Sequence, residues 1–433
     1  MSRAANPQVS FADWELMRQG LVLEPLLQAI SDFLDDNEEM VETIRRDLRR
    51  GLKKPDTGRN GLTAQQVLRS LILMRVKNWD YRELRERIAD GYTLRQFADF
   101  YCQPVPKHDA FHRAFVRLTP ETLRAVNERL VQAAVALGLE DGKKLRVDTT
   151  VVQTDIHHPT DNTLLWDVVR VVTRLVGRLA DVMERRIIKG FRNRARAALR
   201  HTRKVRGKDL LSELAIEQLR KEIDRCCGLG DRVIDQARRR VLEGEQVPNA
   251  EKIYSIFEPH TDLIKRGKVR TPVEFGHKVF LAESAQGLIT QYEVLKGNPS
   301  DEVHVEPSLK RHKDAFGSAP ELYGSDRGFF SDRNVTSCER GGVKVVCIPQ
   351  RGGRKTPERA AYEKSPAFKK GQRFRAGIEG RISVLFRGRG MKRCLAEGPE
   401  RFELSVGAAV LANNLMTIAS LLAKRSSPRR RAA

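Results

Sequence analysis

The 433-residue sequence predicts an α/β protein in which a mixed sheet is flanked by helices. Residues 1–140 carry helix start signals in several places, and strand-like alternation begins only near residue 144. A stretch of helical periodicity, roughly 160–250, then separates the first strand from the second. The predicted organisation is a helical amino-terminal domain at 1–140 and a sheet domain at 141–425 with a helical insertion at 160–250. A basic disordered tail is expected at 426–433.

Start signals define the helices of the amino-terminal domain. Thr63-Ala-Gln-Gln66 and Asp80-Tyr-Arg-Glu83 have the spacing of capping boxes, and Thr119-Pro120 places a cap residue before a proline at the first helical position. The domain either binds DNA through a helix-turn-helix-like pair, Asp80–Ile88 with Thr93–Phe100, or serves as a plain bundle for dimerisation. The predicted helices lie near residues 64–77, 81–90, 108–117 and 120–137.

The sheet domain opens with a regular alternation. Residues 145–152 alternate with a period of two, which puts Asp148 on the opposite face from the main apolar row. Further strands are predicted at 275–283, 288–296, 320–325 and 343–348, and helices at 302–315, 331–339 and 374–387. Three strands, then helix, strand, helix, strand and helix is the order of a mixed sheet with helices on its faces.

The helical insertion contains the strongest local charge. Between Arg185 and Lys208 there are eleven Arg or Lys residues and no acidic residue, so i,i+4 ion pairs cannot relieve the repulsion. We interpret this run as a contact to the DNA backbone rather than as a solvated helix face. The residues predicted to bind DNA there are Arg192, Arg194, Arg196, Arg200, Arg203 and Lys204. Trp166, in the apolar stripe of the insertion, is predicted to pack in a core rather than to stack on a base.

The overall charge indicates the class of partner. The chain carries 79 Lys and Arg against 56 Asp and Glu, a formal net charge of +23, which favours a polyanion because neutralised phosphates release condensed counterions. The six cysteines form no C-x-x-C pair, which disfavours a zinc site. The amino terminus lacks the apolar core of a signal peptide and no stretch resembles a membrane span, so a cytoplasmic, nucleoid-associated protein without a membrane partner is expected.

Three carboxylates occupy positions where chemistry is expected. Asp148 lies within a strand, where aspartate is depleted; Asp326 follows the fourth strand in a glycine-bearing turn; and Glu379 borders an apolar helix stripe. Carboxylate oxygens suit hard divalent cations, and two such cations held together can stabilise both the attacking and the leaving oxygen of a phosphoryl transfer. Their joint placement on this order of elements predicts a catalytic, metal-binding triad.

The blocks around these residues resemble those of a known family. They look like bacterial insertion-sequence transposases of the DDE type, in an ISNCY-like or insertion-sequence-five-like group, and the resemblance spans about residues 60–422. The resemblance implies an RNase H-like catalytic domain whose triad is Asp148, Asp326 and Glu379. The blocks that carry it are Arg146–Asp161, Phe275–Val279, Gly297–Asp301, Tyr323–Phe329 and Arg375–Arg381.

The helix that bears Glu379 departs from the family pattern at two positions. In the pattern Tyr-x-x-Arg-x-x-x-Glu-x₆-Lys, Arg375 and Glu379 match, whereas Gln372 stands in place of the tyrosine and Phe386 in place of the lysine. Arg387 follows by one residue. Arg375 and Arg387 are therefore expected to contact DNA, and Arg375 also to orient Glu379.

The resemblance also implies a function. It implies a transposase that binds the terminal inverted repeats of its element and catalyses metal-dependent DNA strand cleavage and strand transfer. The implied cofactor is Mg²⁺, as two ions for which Mn²⁺ can substitute. The implied partners are double-stranded DNA, at transposon ends and target, and further copies of the chain in a dimer or higher oligomer. Two alternatives stay open: a metal-dependent nuclease without strand transfer, and a transposase-derived DNA-binding protein.

Overall fold

The computed structural model describes residues 22–52, 61–176, 178, 205–265 and 273–426. The chain divides into two compact units. The larger unit combines the chain up to Gln153 with the chain from His277 onward, and the smaller unit spans Thr154–Gly276. The six basic residues predicted to bind DNA within 192–204, and the basic tail beyond residue 426, lie outside the described residues.

The amino-terminal part of the larger unit is helical. Thr63 and Gln66 form a reciprocal capping box, and Asp80 and Thr119 each cap a helix through a side-chain oxygen, as the sequence predicted. The helices described there are α1 (Pro25–Asp35), α2 (Glu38–Arg49), α3 (Ala64–Lys77), α4 (Tyr81–Asp90), α5 (Tyr92–Phe97), α6 (His108–Phe115) and α7 (Pro120–Ala136).

Helices α4 and α5 do not have helix-turn-helix geometry. Gly91 alone separates them, whereas that motif needs a turn of about three or four residues. The second helix is also only six residues long. Both helices bury their apolar residues, Leu84, Ile88 and Phe97, in the core of the helical part. The helix-turn-helix-like expectation for this pair is therefore wrong.

The smaller unit contains the described part of the insertion. Helix α8 (residues 161–176) packs on α9 (Val205–Val241) through a core that includes Leu164, Val171 and Val233. The prediction of a helical insertion is confirmed for these residues. The side chain of Trp166 is 67% exposed, so the prediction of core packing is wrong. Its neighbours Leu164 and Val171 occupy the buried stripe of α8 instead.

The sheet is built around β1 (Lys144–Thr154). The other strands are β2 (Asp262–Lys265), β3 (Val273–Ser284), β4 (Ile289–Val294), β5 (Leu322–Gly324), β6 (Val345–Cys347) and β7 (Arg393–Cys394). The order is β2-β3-β1-β5-β6, with β4 on β3 and β7 on β1. Strands β1, β5 and β6 are parallel, and β3 is antiparallel to β2 and β4. The predicted mixed sheet is confirmed, and β2 and β7 are additions to the prediction.

Helices cover both faces of the sheet. In β3, Phe280 and Ala282 face a core that includes helices of one side, whereas Val279 and Leu281 face a core that includes helices of the other. The helices after β4 are α10 (Val305–Phe316), α11 (Asp332–Arg340), α12 (Pro357–Lys364), α13 (Pro366–Gly388) and α14 (Pro399–Ser426). Helices α10, α11 and α13 correspond to the three predicted helices, although α13 begins earlier than expected, at Pro366. Helices α12 and α14 are additions to the prediction.

Helix α14 differs from one expectation drawn from the sequence. Among the described residues it is the helix long and apolar enough to cross a membrane by length and composition, although no such stretch was expected. However, 67% of its apolar window is buried within the protein. Leu411, Leu415 and Ile418 belong to the same core as α1–α7. The apolar surface of α14 is therefore used to join the amino-terminal helices into one core.

Candidate active site

Asp148 and Asp326 lie next to each other across two parallel strands. Arg146 of β1 is in register with Gly324 of β5, where the pairing ends, and Asp148 and Asp326 each follow that pair by two residues. Both carboxylates contact the same nitrogen of Arg375, so they lie on the same side of the sheet. One carboxylate oxygen of each residue accepts a hydrogen bond from a backbone amide. Asp148 Oδ1 accepts the amide of Thr149 at 2.8 Å, and Asp326 Oδ1 accepts that of Gly328 at 2.8 Å.

Glu379 reaches the same place because α13 lies very close to the sheet. A Cβ atom at Gly371 would lie 2.0 Å from Cys347 Sγ, and one at Gly377 would lie 2.2 Å from a guanidinium nitrogen of Arg146. A larger residue at either position would therefore push α13 away from β6 and β1. The two glycines set the distance at which Glu379 stands from the sheet.

The guanidinium of Arg375 contacts all three carboxylates. Nη2 lies 2.9 Å from Asp148 Oδ2 and 4.0 Å from Asp326 Oδ2, and Nη1 lies 3.1 Å from Glu379 Oε1. Side-chain exposure rises from 13% for Asp148 through 38% for Asp326 to 68% for Glu379, so the cluster opens to solvent on the Glu379 side. The structure thus brings the three predicted residues together around one cation.

The electrostatics of the cluster centre on Asp148. Burial raises the pKa of its carboxyl to about 6, and the nearby charges of Asp326 and Asp301 act in the same direction. The Arg375 guanidinium and the bond from the amide of Thr149 oppose this rise but do not cancel it. The site therefore concentrates more negative charge than a single guanidinium neutralises.

Asp301 is a fourth carboxylate that the sequence interpretation did not select. Its Oδ1 accepts the hydroxyl of Thr149 at 2.9 Å and lies 2.7 Å from Nζ of Lys278. Its Oδ2 and Asp326 Oδ1 would both lie within 3.0 Å of a Cβ atom placed at Gly328. The signal was present, because Asp301 ends one of the blocks that carry the family resemblance, but nothing local distinguishes it from a turn residue.

A cluster of ion pairs around a buried glutamate lies next to the triad in the sequence of β1 and α13. Glu283 of β3 is fully buried and accepts Nε of Arg146 at 2.7 Å and Nε of Arg381 at 2.8 Å. Arg146 also donates to the carbonyl of Phe374 at 2.7 Å. Arg146 precedes Asp148 by two residues and Arg381 follows Glu379 by two. This Glu283 clamp therefore connects the strand of one triad member to the helix of another.

The two arginines predicted on α13 differ in their surroundings. Arg375 is enclosed by the carboxylates, whereas Arg387 is exposed near the end of the helix and forms no ion pair with the described residues. Both are placed where DNA could reach them, and their role in binding stays a prediction.

The donor set suits a hard cation. Three carboxylates already converge on one positive group, and carboxylate oxygens are preferred ligands of Mg²⁺ and Mn²⁺. Within the described part of the chain, no group of three Asp, Glu, His or Cys side chains forms a closed metal-ligand set. The guanidinium of Arg375 lies between Asp148 and Glu379, in contact with both carboxylates.

Comparison with known proteins identifies the amino-terminal helices. Residues 21–117 match the family model described as Transposase domain (DUF772), which covers less than a quarter of the chain. The helical part is therefore similar to a transposase domain over these residues. No curated protein and no solved structure matches the chain.

Proposed function

We propose that this protein is a DDE-type transposase that cuts DNA at the ends of its element and joins them to a target. The observation that carries the proposal is the convergence of Asp148, Asp326 and Glu379 on Arg375. The transposase domain at residues 21–117 supports it from a separate part of the chain. The mixed sheet, with three strands followed by alternating helices and parallel strands, supports an RNase H-like catalytic domain.

Asp148, Asp326 and Glu379 would hold two Mg²⁺ ions, for which Mn²⁺ can substitute, and such ions lower the pKa of a bound water and stabilise charge on phosphate oxygens. Carboxylates that hold cations would no longer need Arg375 as a counterion, and its guanidinium would then be free to donate to a phosphate oxygen of the DNA. The Glu283 clamp keeps β1 and α13 in place during this exchange. The chain therefore contributes alignment and charge rather than a nucleophile.

The chemistry consists of two phosphoryl transfers at one site. In the first, the oxygen of a water bonds to the phosphorus at a transposon end, and the 3′-oxygen leaves with a proton. In the second, the oxygen of that 3′-hydroxyl bonds to a phosphorus of the target strand and gives up its proton, and the target's own 3′-oxygen leaves and takes up a proton. Both steps have the same charge distribution around phosphorus, so one cluster of carboxylates can serve both.

The DNA partner follows from charge. A net charge of +23 and the basic run within 185–208 suit binding to double-stranded DNA at the ends and the target. We further propose that residues 1–140 form a DNA-binding or dimerisation domain, that 141–425 form the catalytic domain, and that the chain acts as a dimer or higher oligomer on paired ends in the cytoplasm.

The test uses labelled duplexes that bear the inverted repeats flanking the gene, with Mg²⁺ or Mn²⁺. We expect Asp148→Asn to abolish cleavage and joining while binding of end DNA is kept, because the substitution removes a negative charge and little volume. Asp314→Asn, on the exposed surface of α10, is the matched control and should retain activity. Joined products from the wild type support a transposase. Cut ends alone would favour the nuclease alternative, and binding without cleavage the DNA-binding protein.

A further inference from the structure

The larger unit contains a cleft that the proposed chemistry does not use. It has a volume of about 700 Å³ and is lined by residues of α3, α4 and α6 on one side and of 390–408 on the other. Its lining includes aromatic and basic side chains: Trp79, Tyr81, His112, Arg75, Arg393 and Arg401.

Arg75 is a partly buried cation in the wall of this cleft. Its Nη2 donates to Ser405 Oγ at 2.8 Å, and its Nε is buried without a hydrogen-bond partner. Asp80 and Glu397 also line the cleft, yet in the described part of the chain Arg75 forms no ion pair. Asp80 instead accepts the amides of Arg82 and Glu83 as the cap of α4.

An uncompensated guanidinium is costly to bury. Removing a charge from water without a counterion costs several kcal/mol, which proteins normally avoid by pairing. Burial lowers the pKa of Arg75, and the groups that oppose this, Cys394 and Tyr81, are not carboxylates. The missing partner is thus an anion, and the space beside Arg75 lets it enter from outside.

The aromatic wall favours an anion that carries a ring. Tyr81 packs edge-on against His112 at 5.2 Å and lies 5.7 Å from Phe115, so its position is fixed. Trp79 beside it is partly buried against the core of α1–α7. Nucleic acid bases stack on such side chains with little sequence preference. Arg393 and Arg401 are exposed and add positive charge at the cleft's edge.

The cleft adjoins the elements that carry the triad. Helix α13 ends at Gly388, nine residues beyond Glu379, or about 14 Å along its axis. The chain then turns at Gly390, where φ is +65° and a Cβ atom would lie 2.3 Å from Asn78 Oδ1 and 3.5 Å from Arg75 Nη1. Glycine at this turn therefore keeps the wall beside Arg75 open. Strand β7, which follows, pairs with β1, the strand of Asp148.

We propose that this cleft binds one unpaired nucleotide of DNA, with its phosphate on Arg75 and its base against Trp79 and Tyr81. The identity of the strand rests on the proposed function, since a transposase acts on DNA ends where bases can leave the duplex. The cleft would then hold a nucleotide that lies a few positions along the DNA strand from the phosphate bound at the triad. Duplex DNA, by contrast, would bind through phosphate contacts outside the cleft.

The test measures anisotropy of a fluorescein-labelled oligothymidylate and of a fully paired duplex of the same length, in the Asp148→Asn background. We expect Arg75→Gln to weaken oligothymidylate binding about tenfold or more, because one charge-assisted hydrogen-bond set is lost. Duplex binding should change less than about twofold, since phosphate contacts elsewhere dominate it. Trp79→Leu should act like Arg75→Gln, and Trp79→Phe should restore binding because it keeps a ring.

Controls separate the cleft from general charge and from folding. Lys344→Gln removes an exposed positive charge on the surface and should bind both probes as the parent does. Thymidine 5′-monophosphate should displace the oligothymidylate, and inorganic phosphate should do so far more weakly. Folded Arg75→Gln and Trp79→Leu variants that bind oligothymidylate normally would overturn the proposal, as would equal displacement by phosphate alone. End cleavage that persists in Asp148→Asn would contradict the proposed function and leave this result untouched.

Discussion

Two regions of the larger unit bury arginine side chains, and they differ in where the counterion comes from. In the Glu283 clamp, Arg146 and Arg381 share a carboxylate that is fully buried. In the cleft, Arg75 has a hydroxyl partner and, among the described residues, no acidic one. A buried cation with a counterion in the chain supports the folded state, whereas one without it is best stabilised by an anionic ligand. We therefore expect the arginines of the clamp to stabilise the fold, and Arg75 to bind DNA.

The largest expected effect is on the clamp. Glu283→Gln leaves two partly buried guanidinium groups without their counterion and should lower the free energy of unfolding by about 3–5 kcal/mol. Chemical denaturation measures this. Glu321→Gln, which removes an exposed partner of Lys344, is the control and should change stability little. If Glu283→Gln were as harmless as the control, the clamp would not be structural and the comparison would fail.

His312 is a third case of a buried basic side chain, and it differs from the arginines because it is buried in its neutral form. The ring stacks on Phe316 at 4.6 Å, and burial lowers its pKa to about 4. The unfolded chain takes up a proton near pH 6.5 and the folded chain only near 4, so stability is full above about pH 6.5 and falls as the pH drops toward 4. The loss should reach about 3 kcal/mol.

The measurement for His312 is a series of denaturation curves between pH 7 and pH 4 in wild type and His312→Asn. The variant lacks the titrating ring and should show a shallower loss across this window, although it is less stable at pH 7. Parallel slopes in the two proteins would show that the imidazole is protonated in the folded state too, and that the protein does accept this buried charge.

The close packing of α13 against β6 can be tested without changing a charge. Gly371→Ala should cost about 1–3 kcal/mol, because its Cβ would meet Cys347 Sγ at 2.0 Å and force α13 away from β6. Gly380→Ala is the matched control on the same helix, where a Cβ meets nothing within 4 Å. It should raise stability by about 0.5–1 kcal/mol through helix propensity. Thermal or chemical denaturation measures both variants. Equal changes in the free energy of unfolding would show that the close approach of α13 to β6 does not contribute to stability.

The smallest effect is expected for Arg75. Arg75→Met should change the free energy of unfolding by no more than about 1 kcal/mol without DNA, since it removes one hydrogen bond and also an uncompensated charge. Denaturation with and without oligothymidylate checks this, and the ligand should stabilise the wild type more than the variant. A loss above about 3 kcal/mol would assign Arg75 to the fold and erase the difference from the clamp.

The sequence predicted those parts of the fold that depend on neighbours in the chain. The caps at Thr63, Asp80 and Thr119 act over three residues, and the alternation in β1 is a property of the strand itself. The carboxylates Asp148, Asp326 and Glu379 were selected by their joint placement along the predicted order of elements, because each one alone is weak evidence for a site. Strands β2 and β7 escaped prediction because four and two residues are too few for a pattern.

Other features escaped because they depend on contacts across the fold. Asp301 looks like a turn residue until Gly328 brings it beside Asp326. Glu283 looks like a surface residue at the end of a strand until Arg146 and Arg381 enclose it. Trp166 fits an apolar stripe by spacing, but the packing of α8 leaves it exposed.

The sequence by itself determined the main run of helices and strands, the excess of positive charge, and the three carboxylates in their places along the chain. Only the tertiary structure decided that these carboxylates meet on Arg375, that Glu283 pairs with two partly buried arginines, and that Arg75 forms no ion pair within the described part of the chain. The physical reason is the distance along the chain over which each interaction acts. Propensity, capping and periodicity act between residues a few positions apart, whereas the energy of a charge depends on the water and counterions that packing leaves around it.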